Sequence, residues 1–234
     1  MIAARAIVTD IEGTTSAISF VRDVLFPYAD QHLDAYVAKH AGDPVVTSAL
    51  REAAIAAGEP DAGVARILSV LHVWIAEDRK ATPLKTLQGL LWDEGYAQGV
   101  LQGHVYPDVP PVLRGWHAAG LELYVYSSGS IVAQKVLFAH TFAGDLTPLF
   151  AGYFDTTIGA KREVASYAAI AAQTGFHPPE MLFLSDVEEE LDAARAAGMQ
   201  TVRLLRPADT PPGATTAHPA YVDFAGLAAD VAPA

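Results

Sequence analysis

The sequence predicts an α/β fold, with a Rossmann-like parallel sheet core and a helical cap inserted after the first strand. From residue 107 onward, short apolar segments alternate with helical ones, which is typical of a parallel sheet with right-handed crossovers. Before that point, residues 20–105 show only helical patterns. We therefore predict a core formed by residues 1–15 and 106–234 and a cap formed by residues 16–105.

The first strand is the apolar run that ends at Asp10, and Gly13 then allows the chain to turn sharply. In the cap, Pro27 is expected to break or kink the first helix. Residues 64–77 form an apolar helix, and Thr82 with Pro83 is a cap and first-turn signal for another. The expected buried face of the first cap helix consists of Val21, Leu25, Tyr28, His32 and Tyr36.

In the second half of the chain, four predicted helices alternate with four predicted strands. Asp108 opens a helix that Gly120 ends. The predicted strands are 121–126, 152–154, 181–185 and 200–205, and the helices between them are 130–139, 161–174 and 188–197. Residues 207–219 are rich in Pro and Thr and are predicted to form a loop.

The composition excludes several classes of protein. Hydrophobic residues make up 51% and charged residues 18%, which indicates a globular chain. The net charge of −12 disfavours nucleic acid and acidic membrane surfaces as partners. There is no cysteine, no signal-peptide pattern and no apolar stretch long enough to span a bilayer. We expect a cytoplasmic monomer that acts on a small molecule.

Two carboxylates follow the first strand, in the segment Asp10-Ile-Glu12-Gly13-Thr-Thr. The carboxyl end of a strand in an open α/β sheet is where ligands bind. Two acids placed there need a cation or a proton between them, which predicts a bound divalent metal, a raised pKa, or both. The alternative is an ordinary turn, since Asp and Gly are common turn residues.

Polar residues follow the later strands as well. Ser127 and Ser128 lie between a strand and a helix, where hydroxyls and free N–H groups bind anions; a Ser N-cap with a Gly turn is the alternative. Lys161 either completes an anion site or is solvated. Asp186 is a second carboxylate at a strand end, whereas the three glutamates after it are explained as acids that complement the helix dipole.

This order of residues is chemically coherent. The carboxylates suit Mg²⁺, which prefers oxygen ligands. The hydroxyls and the lysine suit phosphate oxygens. A carboxylate can then attack phosphorus as a nucleophile.

On these residues the chain resembles the haloacid dehalogenase superfamily of aspartyl-phosphate phosphatases, and within it the enolase-phosphatase family of methionine salvage. The resemblance covers residues 5–206. Its most specific parts are Glu12, where most relatives of the superfamily have Asp, the Ser-Ser-Gly-Ser run that ends at Ser130, and the sequence of the helical insertion. The other shared motifs are Phe20-Val-Arg-Asp-Val-Leu-Phe-Pro-Tyr28, Leu87-Gln-Gly89 with Trp92, Tyr126-Ser-Ser-Gly-Ser130, Gln134-Lys135, Phe154-Asp-Thr156 and Phe183-Leu-Ser-Asp-Val187.

The resemblance implies a role for each matching residue. Asp10 is similar to the nucleophile and a Mg²⁺ ligand, and Glu12 to the general acid and base whose backbone carbonyl is the second protein ligand. Asp186 is similar to the remaining Mg²⁺ ligand. Ser127 and Ser128 resemble the phosphate-binding pair, with Lys161 neutralising nucleophile and phosphate. The implied substrate is 2,3-diketo-5-methylthiopentyl-1-phosphate, and the implied product after enolisation and loss of phosphate is an acireductone.

Lys85, Gln88 and Trp92 share one face of a predicted cap helix. We expect this face to bind the methylthio end of the substrate; the alternative is that Trp92 belongs to the core of the cap. Three other functions remain open from the residues alone. They are a general small-metabolite phosphatase, a phosphoryl-accepting receiver module and, less well supported because it needs no metal, a dehalogenase.

Overall fold

The computed structural model describes all 234 residues. The chain folds into two compact units. Residues Met1–Ile18 and Gln102–Ala234 form the first, which contains the sheet, and Ser19–Leu101 form the second, which is helical. No helix in either unit is both long enough and apolar enough to cross a bilayer.

A six-stranded parallel sheet organises the first unit and confirms the predicted fold class. Its order is β4-β3-β2-β5-β6-β7, and β1 pairs with β8 in a separate two-stranded sheet. The strands are β1 (Ile2–Ala4), β2 (Ala6–Thr9), β3 (Glu122–Tyr126), β4 (Phe150–Phe154), β5 (Met181–Ser185), β6 (Gln200–Leu204), β7 (Ala220–Tyr221) and β8 (Val231–Pro233).

The central strand β2 is the point at which the winding of the sheet changes direction. From β2 the chain proceeds through β3 to β4 at one edge, and then from β5 through β6 to β7 at the other. All four residues of β2 are buried, and Thr9 is opposite Val125 on one side and Leu184 on the other. In such sheets the crevice at this point, beyond the carboxyl ends of the strands, is the ligand site. Asp10 is the next residue of the chain.

Four helices of this unit lie at the predicted places with small shifts at their ends, and a fifth, near the C-terminus, was not predicted. Ser130 caps one of them, because its Oγ accepts a hydrogen bond from the N–H of Ala133 at 3.3 Å. One predicted start is wrong, because the helix expected from Lys161 begins at Val164. In chain order after the helical unit these helices are α6 (Val109–Ala118), α7 (Ile131–Ala139), α8 (Val164–Thr174), α9 (Glu188–Ala196) and α10 (Phe224–Ala228).

The helical unit is built around a single apolar cluster. The short helix α1 (Ile18–Phe20) starts at the last residue of the first unit, and a π-helical turn (Val21–Leu25) follows it. The remaining helices of the unit are α2 (Phe26–Lys39), α3 (Pro44–Ala56), α4 (Val64–Ala76) and α5 (Thr82–Ala97). Thr82 is the first residue of α5 rather than its cap, since Ala81 occupies that position. Pro27 lies in the first turn of α2, directly after the wide π turn, so the missing N–H breaks no α-helical bond within α2.

The buried face of α2 differs from the one predicted. Leu25, Ala29, Leu33 and Val37 are buried, whereas His32 is exposed. Tyr28 and Tyr36 pack at the edge of the cluster and remain half-buried. The buried residues repeat every four positions from Leu25, so beyond that residue the buried face is rotated by one position from the predicted one.

His72 on α4 bridges two acids of α2. Its Nδ1 lies 2.6 Å from Asp30 Oδ1 and its Nε2 lies 2.9 Å from Asp34 Oδ1. The hydrogen bond with Asp30 raises the pKa of His72, against the effect of burial. A folded-state pKa above the unfolded value of about 6.5 stabilises the fold below that pH, and the stabilisation is lost as pH rises through the folded pKa.

We expect His72→Gln to destabilise the protein by about 0.5 kcal/mol at pH 5.5 and by much less at pH 9, because these side chains are partly exposed and water screens the pair. Urea unfolding at both pH values measures the difference. Asp30→Asn should remove only part of this pH-dependent stabilisation, because His72 keeps its contact with Asp34. An equal loss at pH 5.5 and pH 9 in His72→Gln would contradict the ion-pair account.

Candidate active site

The loop after β2 folds tightly around one carbonyl group. The N–H groups of Thr14, Thr15 and Ser16 all donate to the carbonyl oxygen of Ile11, at 3.2, 2.9 and 2.8 Å. Gly13 makes this turn with a positive φ of 69°, a conformation that glycine adopts without a steric penalty. The loop therefore holds Asp10 and Glu12 at the mouth of the crevice.

Asp10 is a buried carboxylate whose hydrogen bonds converge on one oxygen. Oδ1 accepts from the N–H of Ile11 at 2.7 Å and lies 2.7 Å from the Nζ of Lys161. Oδ2 accepts neither of these bonds. The side chain of Asp10 is only 7% exposed, so Lys161 and not bulk water is the partner of Oδ1. An anchored carboxylate with its second oxygen left for a ligand has the geometry of an oxygen nucleophile.

Lys161 lies in a turn whose backbone carbonyls accept hydrogen bonds from three hydroxyl groups. The hydroxyls of Tyr126, Ser166 and Tyr167 donate to the carbonyl oxygens of residues 159, 160 and 161 at 3.0, 2.7 and 2.6 Å. Gly159 is required there, because a Cβ at this position would lie 2.2 Å from the Oγ of Ser166. Three hydroxyl groups on successive carbonyls therefore fix the turn that carries Lys161.

Glu190 is a site residue that the sequence analysis missed. Its Oε2 lies 2.7 Å from the Nζ of Lys161 and accepts a hydrogen bond from the hydroxyl of Ser185 at 2.9 Å. Burial opposes the charge of Lys161, but Asp10 and Glu190 on either side raise the pKa of its ammonium group overall. The sequence places Glu190 in the first turn of α9, four residues after the strand-end residue Asp186, but does not show its contact with Lys161.

Asp186 lies next to this cluster and has no cation of its own. Burial, and then the charge of Asp10, raise the pKa of Asp186 to about 7. Its backbone carbonyl accepts a hydrogen bond from the Nε of Arg203 at 2.9 Å. Its carboxylate packs against Gly13 so closely that a Cβ there would lie 2.3 Å from Oδ2.

A cavity of about 420 Å³ lies over these residues and brings together the predicted site residues of the first unit. Ser127 is buried, and its Oγ accepts the N–H of Gly129 at 3.2 Å, so it orders the turn after β3. Thr156, Arg162 and Glu190 complete the polar lining and were not predicted. The predicted residues in the lining are Asp10, Glu12, Ser127, Ser128, Lys161 and Asp186.

The cavity has an excess of negative charge. Four carboxylates line it, those of Asp10, Glu12, Asp186 and Glu190, and Lys161 is the buried cation among them. The carboxylates are not arranged as a closed set of three or more metal ligands. The all-oxygen donors and the raised pKa of Asp186 nevertheless fit a hard divalent cation, which would replace the proton that this carboxylate otherwise takes up near neutral pH.

The predicted cap residues lie in the helical unit, on α5. Gln88 is buried, and Lys85 and Trp92 are half-buried. The indole N–H of Trp92 donates to the carbonyl oxygen of Leu25 at 3.0 Å, and its ring packs against the apolar cluster of this unit. Trp92 therefore contributes to the core of the helical unit, which was the alternative interpretation. That these three residues bind substrate stays a prediction.

Comparisons with known proteins agree with this geometry. The family model for haloacid dehalogenase-like hydrolases matches residues 4–198. The chain is 58% identical to enolase-phosphatase E1 of Pseudomonas aeruginosa (strain UCBPP-PA14), over 95% of this chain and 97% of that protein. It is 56% identical to enolase-phosphatase E1 of Azotobacter vinelandii, over 95% and 96%. The chain belongs to the enolase-phosphatase family of haloacid dehalogenase-like hydrolases.

Solved structures show the same fold for this enolase-phosphatase family member. The UTR4 protein of Saccharomyces cerevisiae aligns with a TM-score of 0.79 at 33% identity, over 94% of this chain and 98% of that one. The L-2-haloacid dehalogenase of Xanthobacter autotrophicus aligns with a TM-score of 0.55 at 17% identity, over 97% of both chains. At that identity the dehalogenase shows only a shared fold.

Gly13 offers a direct test of how this family member places Asp186. We expect Gly13→Ala to lower the affinity for Mg²⁺ by about 10–100-fold, as the loss of a ligand's support does, because the new Cβ displaces the Asp186 carboxylate. Isothermal titration calorimetry with Mg²⁺ measures the affinity.

Gly175→Ala is the matched control for this experiment. Gly175 has a similar φ of 77°, and nothing lies within 4 Å of its missing Cβ. It therefore tests backbone strain alone, and we expect normal Mg²⁺ binding. The same small change in both variants would show that Asp186 does not depend on the space at Gly13.

Proposed function

We propose that the protein enolises 2,3-diketo-5-methylthiopentyl-1-phosphate and then removes its phosphate, giving the acireductone 1,2-dihydroxy-3-keto-5-methylthiopentene in methionine salvage. The observation that carries the proposal is Asp10, a buried carboxylate at the end of the central strand, held through one oxygen by Lys161 and Ile11. Family membership supports the choice of reaction, because the relatives are named enolase-phosphatase E1 and the similarity extends over nearly their whole length.

The phosphate group would bind between the lysine and the serines. Lys161 lines the cavity beside Ser127 and Ser128. An ammonium group and hydroxyl groups neutralise and hold phosphate oxygens. Because Lys161 also contacts Asp10 at 2.7 Å, the same cation would reduce the repulsion between the phosphate and the attacking carboxylate.

In the enolisation step, Glu12 removes the proton from C1, and the C2 oxygen takes up the negative charge and then a proton from solvent. C1 also carries the bridging oxygen of the phosphate ester. A carboxylate near that oxygen can reach both the C1 proton and the leaving oxygen. We propose that the extra methylene of Glu12, compared with Asp, supplies this reach.

In the phosphatase step, Asp10 attacks phosphorus as the bond between phosphorus and the bridging oxygen breaks. Glu12, which carries a proton after enolisation, donates it to that oxygen as the acireductone leaves. Glu12 then accepts a proton from water, whose oxygen attacks the aspartyl-phosphate. Inorganic phosphate is released, the Asp10 carboxylate is restored, and Glu12 returns its proton to solvent.

A divalent cation, which we propose to be Mg²⁺, would be held by Asp10, Asp186 and the backbone carbonyl of Glu12. When bound, it would neutralise phosphate charge and polarise the C2 carbonyl. The buried Asp186 carboxylate supports this assignment, since burial and the charge of Asp10 raise its pKa, and a bound cation would offset both effects. Glu190 contacts Lys161 and Ser185, so we propose that it orients the lysine and binds no metal.

The remaining parts of the proposal concern the second unit and the setting of the reaction. We propose that residues 16–105 act as a cap, with Lys85, Gln88 and Trp92 contributing to recognition of the methylthio end. The enzyme is proposed to be a cytoplasmic monomer that acts on a small phosphorylated metabolite and binds neither nucleic acid nor membranes. The general small-metabolite phosphatase is the second candidate, because the same cavity residues would serve either substrate.

A phosphate-release screen separates these functions. The purified protein is assayed with the diketo phosphate, with common sugar phosphates and with p-nitrophenyl phosphate, in Mg²⁺ and in EDTA. We expect release from the diketo phosphate, with a preceding rise in ultraviolet absorbance from the enol, and no release in EDTA. Equal rates with all esters would favour the general phosphatase, and full activity in EDTA would contradict the metal assignment.

A further inference from the structure

The chain passes between its two units at two places, after Ile18 and before Gln102. In the first unit, the segments that border these places, residues 15–18 and 104–106, are bonded to each other. The N–H of Tyr106 donates to the carbonyl oxygen of Thr15 at 2.9 Å. The Nδ1 of His104 accepts from the N–H of Ala17 at 3.1 Å. The outgoing and returning connections are therefore joined within the first unit.

A turn in the C-terminal loop, which the motifs leave unassigned, contacts this pair of connections. The segment Arg206-Pro-Ala-Asp209 closes with a hydrogen bond of 2.9 Å from the N–H of Asp209 to the carbonyl of Arg206. Pro207 occupies the second position, where its fixed φ favours a turn. The turn therefore directs Arg206 and Asp209 toward the same neighbour.

That neighbour is Tyr106. The guanidinium carbon of Arg206 lies 4.2 Å from the centre of the Tyr106 ring, and the Tyr106 hydroxyl donates to Asp209 Oδ2. The same Oδ2 accepts the N–H of Ile18 at 3.3 Å. A single carboxylate oxygen thus links the returning connection to the outgoing one. Besides these two hydrogen bonds of Asp209, the Nε of Arg206 donates to the carbonyl oxygen of Thr14 at 2.9 Å.

Ile18 connects these contacts to the candidate active site, because it is bonded to Asp209 and lines the cavity. It lines the same cavity as Asp10 and Glu12 and is the last residue of the first unit before the chain enters the helical one. We propose that Asp209 is a positioning residue for the reaction: it holds Ile18 at the cavity and keeps the two connections to the helical unit in one arrangement. The proposal rests on the proposed function for its choice of substrate.

The test compares Asp209→Leu with Asp209→Asn. Leucine removes both hydrogen bonds, and we expect it to lower kcat/KM for the diketo phosphate by on the order of tenfold, since small displacements in a site are costly. Asparagine keeps an acceptor oxygen, so it should restore most of this loss. Hydrogen exchange followed by mass spectrometry should show faster exchange in residues 15–18 and 104–106 of Asp209→Leu only.

Asp230 provides a matched control, because it accepts the hydroxyl of Tyr221 at 2.7 Å in the same unit and is not in the cavity lining. Asp230→Leu should leave kcat/KM and the exchange of both segments unchanged. Should Asp209→Leu fail to fold, Tyr106→Phe removes only the hydroxyl and should still lower kcat/KM. The proposal is wrong when Asp209→Leu behaves like Asp230→Leu, or when Asp209→Asn is as impaired as Asp209→Leu.

The outcome also separates this proposal from the proposed function. If the unmodified protein releases no phosphate from the diketo phosphate, the proposed function fails. The Asp209 variants are then compared by hydrogen exchange and by hydrolysis of p-nitrophenyl phosphate. Faster exchange with slower hydrolysis in Asp209→Leu would support the positioning role, and unchanged values would overturn it.

Discussion

Asp10→Asn is expected to lower phosphate release from the diketo phosphate by at least about 10³-fold, because an amide cannot act as the nucleophile. The variant should still fold, since Lys161 keeps Glu190 as a partner at 2.7 Å. The enol-phosphate should accumulate and appear as a rise in ultraviolet absorbance. Assays of inorganic phosphate and of absorbance on the same sample measure the two steps separately.

Glu12→Gln is the contrast to this variant. Its amide cannot accept the C1 proton or supply one to the leaving oxygen, so both steps should be impaired. Mg²⁺ affinity must be measured for both variants, because Asp10 is also a proposed metal ligand. If Glu12→Gln forms the enol at the normal rate with its metal bound, another base removes the proton and the account of Glu12 is wrong.

Lys161→Met is expected to destabilise the fold and to lower activity at the same time. The lysine and its two partners, Asp10 and Glu190, are each no more than 10% exposed. Removing the cation leaves two like charges buried together, which costs about 3 kcal/mol when one partner of a buried pair is lost. Urea unfolding in EDTA at pH 8 measures the stability, and kcat/KM for phosphate release measures the activity.

Lys39→Met is the matched control for charge removal. Lys39 makes the same type of contact, 2.7 Å to Glu94, but its side chain is 59% exposed. Exposed pairs contribute about 0–1 kcal/mol, so we expect a small change in stability and normal phosphate release. Losses of equal size in the two variants would mean that burial of the Lys161 cluster has no special effect.

The candidate site could be read from the sequence to the extent that its residues follow strands. The alternation of strands and helices predicted a parallel sheet, and the carboxyl ends of parallel strands share one edge. Asp10, Ser127 and Asp186 could therefore be expected together before any contact was known. The cavity contains all three. Their assigned roles in catalysis stay predictions.

The partners of these residues could not be read in the same way. Glu190 was explained as an acid that complements a helix dipole, yet it contacts Lys161 and the hydroxyl of Ser185. The space left by Gly13 is filled by Asp186. The contact of Glu190 with Lys161 and that of Gly13 with Asp186 do not follow from local periodicity, because each joins two segments that are distant in the chain.

In the C-terminal region, too, local sequence predicted the loop but not the contacts with distant segments. Residues 207–219 were predicted as a loop from their composition, and no helix or strand occurs in them. The short strand β8 was not predicted, because its stability depends on pairing with β1 at the other end of the chain. The contact of Asp209 with Tyr106 likewise joins residues that are distant in sequence.

The sequence by itself determined the α/β class, the helical insertion and the strand-end positions of Asp10, Ser127, Ser128 and Asp186, because periodicity and turn chemistry act between neighbours in the chain. Only the tertiary structure decided which buried charges pair, which hydroxyls bond to the turn that carries Lys161, and which loop contacts residues 15–18 and 104–106. Those choices depend on burial and distance between remote segments, and local patterns do not encode them.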